Sequence, residues 1–338
     1  MRVTINDIAK IAKVSPSTVS RVIANNPKIS IATREKVFKI MKEMNYHPNI
    51  IARSLANKST KIIGVIIPGT AEKAFQHPFF PEVLRGISSI ANKNNYNILI
   101  ASSSNHEEEK QTLQEFVHGG IAEGIILLAS KVHDQSVAEL QKNDFPFVLI
   151  GKPENDVEVN WVDNNNFAIG YELTQHFIKQ GHKKIAFLGV SSDYIVTLDR
   201  LNGYKKALMD KGLSVDERLI VESKFIDDSG YELVQQLSER GINPTGIIAG
   251  DDLLAFGVMK WISEHGLNVP EDIAVAGFNN VPLSMFCHPS LTSVEVNAFS
   301  LGTKAFELLL AVLNSNDKSY CRAIVPTELV IRESTVKQ

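Results

Sequence analysis

Two groups of residues carry chemistry that their neighbours do not. The first is dense: Ser15-Pro16-Ser17-Thr18-Val19-Ser20-Arg21-Val22-Ile23. The Ser15 hydroxyl can cap a helix by accepting from an N–H two or three residues on. Pro16 suits the first helical position, where its missing N–H costs nothing. Val19, Val22 and Ile23 recur at helical spacing and turn inward, which leaves Ser17, Thr18, Ser20 and Arg21 pointing out. Small hydroxyls around one guanidinium suit hydrogen bonding to base edges, and arginine bidentate to guanine is the commonest such contact. The second group is dispersed. Arg200, Asp251, Asp252, Asn279, Asn280 and Phe225 each follow a short apolar run, and the pair Phe79-Phe80 cannot both enter a core from one regular helix. Aromatic faces with a few carboxylates and one guanidinium suit a neutral polyhydroxylated ligand, the rings stacking on a sugar's apolar face and the charged groups bonding its hydroxyls. A strongly anionic ligand needs more than one cation, and only Arg200 and Lys152 offer themselves. Plainer roles compete: helix capping for Asp252, turn chemistry for Asn279 and Asn280, and packing for Phe225.

The elements that must hold these side chains follow from composition and pattern. With 338 residues, 44% of them hydrophobic, the chain has room for two or three domains. Residues 1–60 carry 11 Lys and Arg against 3 Asp and Glu, a net of +8; the remainder carries 24 against 35, a net of −11. A basic head on an acidic body is the electrostatic pattern of a nucleic-acid module joined to a different kind of domain. No apolar run is long enough to span a membrane, and MRVTINDIAK lacks the apolar stretch of a secretory signal. Cys287 and Cys321 have no metal-ligand spacing and read as reduced thiols. A cytoplasmic protein without a metal site is expected.

In the head, Thr4 can cap a first helix with Asp7 three residues on, and Ile8, Ala9, Ile11 and Ala12 give it an apolar stripe. Lys13-Val14 makes the tight turn to the second helix, Lys13 standing where such turns often use glycine, so the pair reads as helix-turn-helix. A third helix runs from about Ile31 to Met44, capped by Ser30. Val37, Ile40, Met41 and Met44 form its buried stripe, and Arg34, Lys36, Lys39 and Lys42 its wet face, placed near phosphates. His47-Pro48 ends it. Asn49 can cap Ile50 to Asn57, a segment too short to be stable alone and oddly apolar for a linker. It suits a hinge that folds on DNA, with Leu55 as a minor-groove wedge between base steps.

From Lys61 strand-like apolar runs alternate with helical ones: 62–67, 97–102, 124–129 and 147–150, then again 184–189, 218–223, 245–250 and 272–278. Helical segments such as Pro81–Asn92, Phe167–Gln180, Arg200–Lys211 and Leu253–Glu264 lie between them. This is βαβ alternation with buried parallel strands, repeated to give two doubly wound lobes. Ligands of such sheets bind at the carboxyl ends of strands, so the cleft between the lobes is the expected site.

VSPSTVSRVI followed by YHPNIIARSLA resembles the LacI/GalR family of bacterial transcription regulators, and the resemblance covers the whole chain. It implies an all-α helix-turn-helix head on a periplasmic-binding-protein-like body, acting as a homodimer on a pseudo-palindromic operator. The implied boundaries are 1–48 for the head, 49–60 for the hinge, 61–162 with 293–323 for the first lobe, and 163–292 with 324–338 for the second. The strand near 293–296 and the helix at 299–314 would return to the first lobe. Further DNA contacts are implied at Thr4 and Asn25, and at Tyr46, Asn49, Arg53, Ser54, Leu55 and Ala56. Effector contacts are implied at Arg200, Phe225, Asp251 and Asn279, with Phe79, Phe80, Asp163 and Tyr194 in the same set. The runs HPFFPEVLRGISS, GIILLASKV and GKPENDVEVNWVDNNN are most similar to the family's maltose-operon subgroup, which implies maltose or a short maltodextrin as inducer.

An enzyme is the first rival. The chain has no G-x-G-x-x-G after its first strand, no H-E-x-x-H, no Walker loop and no G-x-S-x-G, so no catalytic residue or cofactor is expected. His106-Glu107-Glu108-Glu109 reads as a solvated acidic first turn of a helix. A secreted sugar-binding protein would share the body but lack the basic head. A catabolite-control regulator with a phosphorylated carrier protein as corepressor shares everything, and corepression is as compatible with the sequence as induction. IRESTVKQ at the end carries no heptad, so a dimer is expected rather than a tetramer.

Overall fold

The computed structural model describes residues 3–24, 26–46, 59–103, 105–155, 158–223, 230–315 and 319–336. The hinge segment and the candidates Asn25, Asn49, Arg53, Ser54, Leu55, Ala56 and Phe225 lie outside the described residues.

The head holds α1 (Ile5–Ala12), α2 (Pro16–Ile23) and α3 (Ile31–Glu43). Thr4 and Asp7 form a reciprocal capping box on α1, and Ser15 and Ser30 cap α2 and α3 through Thr18 N–H and Thr33 N–H. Lys13 takes the left-handed conformation (φ 55°, ψ 45°) that ends α1, the role expected of it in the turn. Ile8 and Ala12 pack with Val19, Val22, Val37, Ile40 and Met41 in one small core. Two expectations are corrected. Ile11 is exposed, one position off the buried face. Arg34 is half-buried and donates to the Asn26 carbonyl at 3.1 Å, bracing the turn after α2 instead of lying free among the exposed lysines.

The body is two six-stranded sheets, each between two layers of helices. The first contains β1 (Ile62–Pro68), β2 (Asn97–Ser103), β3 (Gly124–Leu127), β4 (Phe147–Ile150), β5 (Trp161–Asp163) and β11 (Arg322–Ile324), in the order β11-β5-β4-β3-β1-β2 and all parallel. Strand β1 is buried on both faces because its side chains alternate between layers. Ile63, Val65 and Ile67 meet α5 (Phe79–Lys93) and α13 (Ala298–Asn314), while Ile66 meets α6 (His106–His118) and α7 (Gln135–Lys142). Helix α4 (Ala71–Gln76) precedes α5.

The second sheet repeats the plan with β6 (Ile185–Gly189), β7 (Ile220–Glu222), β8 (Gly246–Ala249), β9 (Ala274–Phe278), β10 (Thr292–Glu295) and an antiparallel edge strand, β12 (Glu328–Val330). Its order is β12-β10-β9-β8-β6-β7. Helices α8 (Asn166–Lys179) and α9 (Ile195–Asp210) cover one face; α10 (Gly230–Glu239) and α11 (Asp252–Glu264) cover the other, and α12 (Leu283–Phe286) lies in the loop after β9. The strand expected to return to the first lobe stays in the second. Thr292 pairs with Ala276 and Ser293 with Val330, so the second lobe runs on through residue 295 and the chain crosses just before α13. Helix α13 packs on α5 in the first lobe, as expected. Both sheets have their topological switch beside the first strand of the lobe, between β1 and β3 and between β6 and β8.

Candidate functional site

On α2, Ser17 and Arg21 are exposed and Thr18 and Ser20 half-buried. Thr18 shares a 2.9 Å hydroxyl–hydroxyl hydrogen bond with Ser15, so the cap also orients one of the candidate side chains. Thr4 is held by Asp7 at 2.7 Å. Tyr46 packs partly against the head core. The outer face of α2 is therefore a polar surface with one exposed arginine, Arg21, mounted on a capped two-turn helix.

In the body, a cavity lies between the lobes, lined from strand ends of both sheets: Pro68, Leu128, Ile150 and Asp163 from the first, Gly250, Asp251 and Asn279 from the second. Ligand sites at switch points of doubly wound sheets are built this way. Phe79 and Phe80 both line it, their rings edge to face at 5.4 Å. Phe80 is also part of the first lobe's core, whereas Phe79 packs against the cores of both lobes. Tyr194, just before α9, lines it as well, and burial pushes its phenol up.

Arg200 is fixed at the centre. It lies in the second turn of α9, which begins at Ile195 and not at Arg200 as expected. Its Nε donates to Asn166 Oδ1 at 3.0 Å, Nη1 donates to the Gly250 carbonyl at 2.8 Å, and the guanidinium lies 4.0 Å from the centre of the Phe278 ring. Asn166 in turn donates to Asp163 at 3.0 Å, and Asp163 also accepts from the amides of Lys152 at 2.9 Å and Asn164 at 2.7 Å. Burial raises the Asp163 carboxyl to about 6, against the pull of those amides and of Arg200. Burial brings Arg200 down to about 10, against Asp163, Asp251 and Asp252, which leaves it protonated at neutral pH.

Asp251 caps α11 through Leu254 N–H at 2.8 Å and reaches across the cleft to His77 Nε2 at 3.3 Å. Burial acts to raise its carboxyl, but the His77 contact, the Leu254 amide and Arg200 outweigh that and hold it low. Asp252 does not face the cavity. It accepts from Val281 N–H, Ser284 and Ser293 at 2.8, 2.8 and 2.6 Å, tying α11 to the loop after β9 and to β10, and burial raises it to about 7. Asn279 and Asn280 both have positive φ, so turn chemistry and lining are not exclusive: Asn279 lines the cavity, while Asn280 is bound to Glu295 and Arg332.

Three more contacts join the lobes. Val132 N–H donates to the Asp193 carbonyl at 2.8 Å, Ile195 N–H to the Ser130 carbonyl at 3.1 Å, and Lys152 pairs with Asp199 at 3.0 Å. Sequence reasoning missed His77 as a cleft residue, and Asn166 as the link between Asp163 and Arg200. The asparagine run after β5 was the available signal for the second. The acidic turn at 106–109 opens α6 with His106, Glu107 and Glu108 exposed, as expected, but Glu109 is buried, accepting from Lys131 at 2.6 Å and Ser136 at 2.5 Å. Among the described residues no group of three metal-ligating side chains occurs, and no helix is long and apolar enough to cross a membrane.

A helix-turn-helix head on a two-lobe body with an interlobe cavity defines a ligand-responsive regulator of transcription. Residues 4–49 match the family described as bacterial regulatory proteins, lacI family, and residues 174–335 match a periplasmic binding protein-like domain. The chain is 39% identical over 327 residues to the HTH-type transcriptional regulator MalR of Streptococcus pneumoniae, covering 95% of this chain and 96% of the relative. It is 36% identical over 336 residues to catabolite control protein A of Priestia megaterium, covering 99% and 100%. A lac repressor dimer solved with operator and the anti-inducer ONPF superimposes with a TM-score of 0.86 at 25% identity, over all of both chains. The chain belongs to the lacI family of bacterial transcription regulators.

Proposed function

We propose that the protein is a homodimeric repressor that binds a two-fold-symmetric operator and is released by a neutral sugar, maltose or a short maltodextrin. The observation that carries the sugar reading is the cavity itself: aromatic walls around one immobilised guanidinium, with carboxylate and amide groups at the strand ends. Phe79 and Phe80 offer faces to a pyranose ring, and Arg200, Asp251 and Asn279 offer hydrogen bonds to its hydroxyls. Likeness to MalR supports maltose in particular. On the DNA side, Ser17, Ser20 and Arg21 enter the major groove, and the hinge with Leu55 opens the minor groove. Sugar in the cleft favours a lobe arrangement that separates the paired hinges, a population shift that requires several kcal/mol of preference between the two states. Release of operator duplex on addition of maltose tests the reading. Likeness to catabolite control protein A supports a second one, corepression by a phosphorylated carrier protein; under it, the carrier tightens operator binding and maltose leaves it unchanged.

A further inference from the structure

A second cavity adjoins the first on the far side of the backbone strap formed by Ser130–Val132 and Asp193–Ile195. Tyr194 lines both cavities. The outer one is walled by the loops after β1, β2 and β3, with Thr70, Ser103, Asn105 and Asp134 among its polar groups. Two helices begin there, but each amino terminus is occupied: Asn105 caps α6 and Asp134 caps α7. Two lysines line it: Lys131 is matched by Glu109 at 2.6 Å, and Lys73 is engaged as well. Among the groups that these pairings leave are the neutral hydroxyls of Thr70 and Ser103. The Ser103 Oγ stands out, because the residue is 6% exposed and its oxygen has no hydrogen-bond partner among the described residues. Buried hydroxyls are satisfied in the great majority of proteins, and rotation to another staggered χ1 well re-aims this one.

We infer that the outer cavity is a second sugar subsite, so that the ligand of this cleft is a linear oligosaccharide whose chain runs past the Tyr194 ring. The inference rests on the sugar reading proposed above. An anion is disfavoured because both lysines and both helix termini are already engaged.

The test is calorimetry on the full-length protein with maltose and maltotetraose, using wild type, Ser103→Val and Thr70→Val. Thr70 lines the same cavity and its side chain makes no capping bond, so its substitution keeps the test open if Ser103→Val does not fold. Maltotetraose is expected to bind wild type about tenfold more tightly than maltose, a factor that one or two well-made hydrogen bonds supply. Either variant is expected to remove most of that advantage and leave maltose affinity unchanged. Equal affinity of wild type for the two sugars, or variants that weaken both equally, overturns the subsite and leaves the sugar reading standing. Binding of neither sugar overturns the sugar reading, and the subsite with it.

Discussion

Arg21 and Arg200 carry the same group to opposite tasks. Arg21 is exposed on a capped helix, and under the proposed function its donors meet a duplex. Arg200 is buried with its guanidinium already committed on two sides, so it presents its remaining N–H groups in a fixed direction. Arg21→Ala is expected to cost about 1–3 kcal/mol at one base position, read by gel shift against single-base operator variants. A uniform loss on every duplex would instead make Arg21 a phosphate contact. Asp252 gives a prediction of a different kind. Burial holds its carboxyl at about 7 in the fold, above its ordinary value of 3.8. The folded state therefore keeps this proton more tightly than the unfolded chain does. Its contribution is most favourable below that ordinary value and is lost as pH rises toward about 7. Urea midpoints of wild type, measured relative to Asp252→Asn, should fall between pH 5 and pH 8; parallel curves would contradict this. At this scale the sequence was readable wherever partners are close along the chain, as with Thr4 and Asp7 or the left-handed Lys13. It was opaque where the partner is distant. Nothing local marks Asn166 as the brace of Arg200, or Glu109 as the partner of Lys131.

Between elements, what places Arg200 is the close crossing of α8 and α9. A β-carbon on Gly170 would stand 2.5 Å from the Arg200 carbonyl oxygen and 2.9 Å from its Cα, and Gly203 makes the reciprocal approach to Phe167. Gly170→Ala must push α9 outward and carry the guanidinium away from Asn166 and Gly250. The expected cost is about 1–3 kcal/mol of stability together with weaker effector binding, measured by thermal unfolding and calorimetry on one preparation. An unchanged melting temperature with full effector affinity would show that the crossing has slack. The βαβ rhythm made β1–β4, β6–β9 and most helix limits readable, because burial on both faces of a parallel strand leaves a continuous apolar run. The edge strand β2 departs from the expected burial, with Leu99 and Ile100 exposed, and the three-residue strands β5, β11 and β12 were too short to show. Strand β10 was assigned to the first lobe by resemblance and not by rhythm; its membership of the second is decided by Ser293 reaching Asp252 and by the pairing with β9 and β12.

Across the whole molecule, a head of net +8 is joined to a body of net −11, and the body's cavity is closed by contacts from both lobes. Under the proposed function, a sugar that takes the Asp251 carboxylate would compete with His77 and so act on the segment of the first lobe that leads into α5, which would couple ligand binding to lobe arrangement. The most direct test titrates an operator duplex with full-length protein at fixed salt, with and without saturating maltose, following fluorescence anisotropy. The account predicts salt-sensitive binding that is weakened at least tenfold by the sugar, since differential affinity for the two lobe arrangements sets the size of the shift. Operator binding that maltose leaves unchanged or tightens would contradict it.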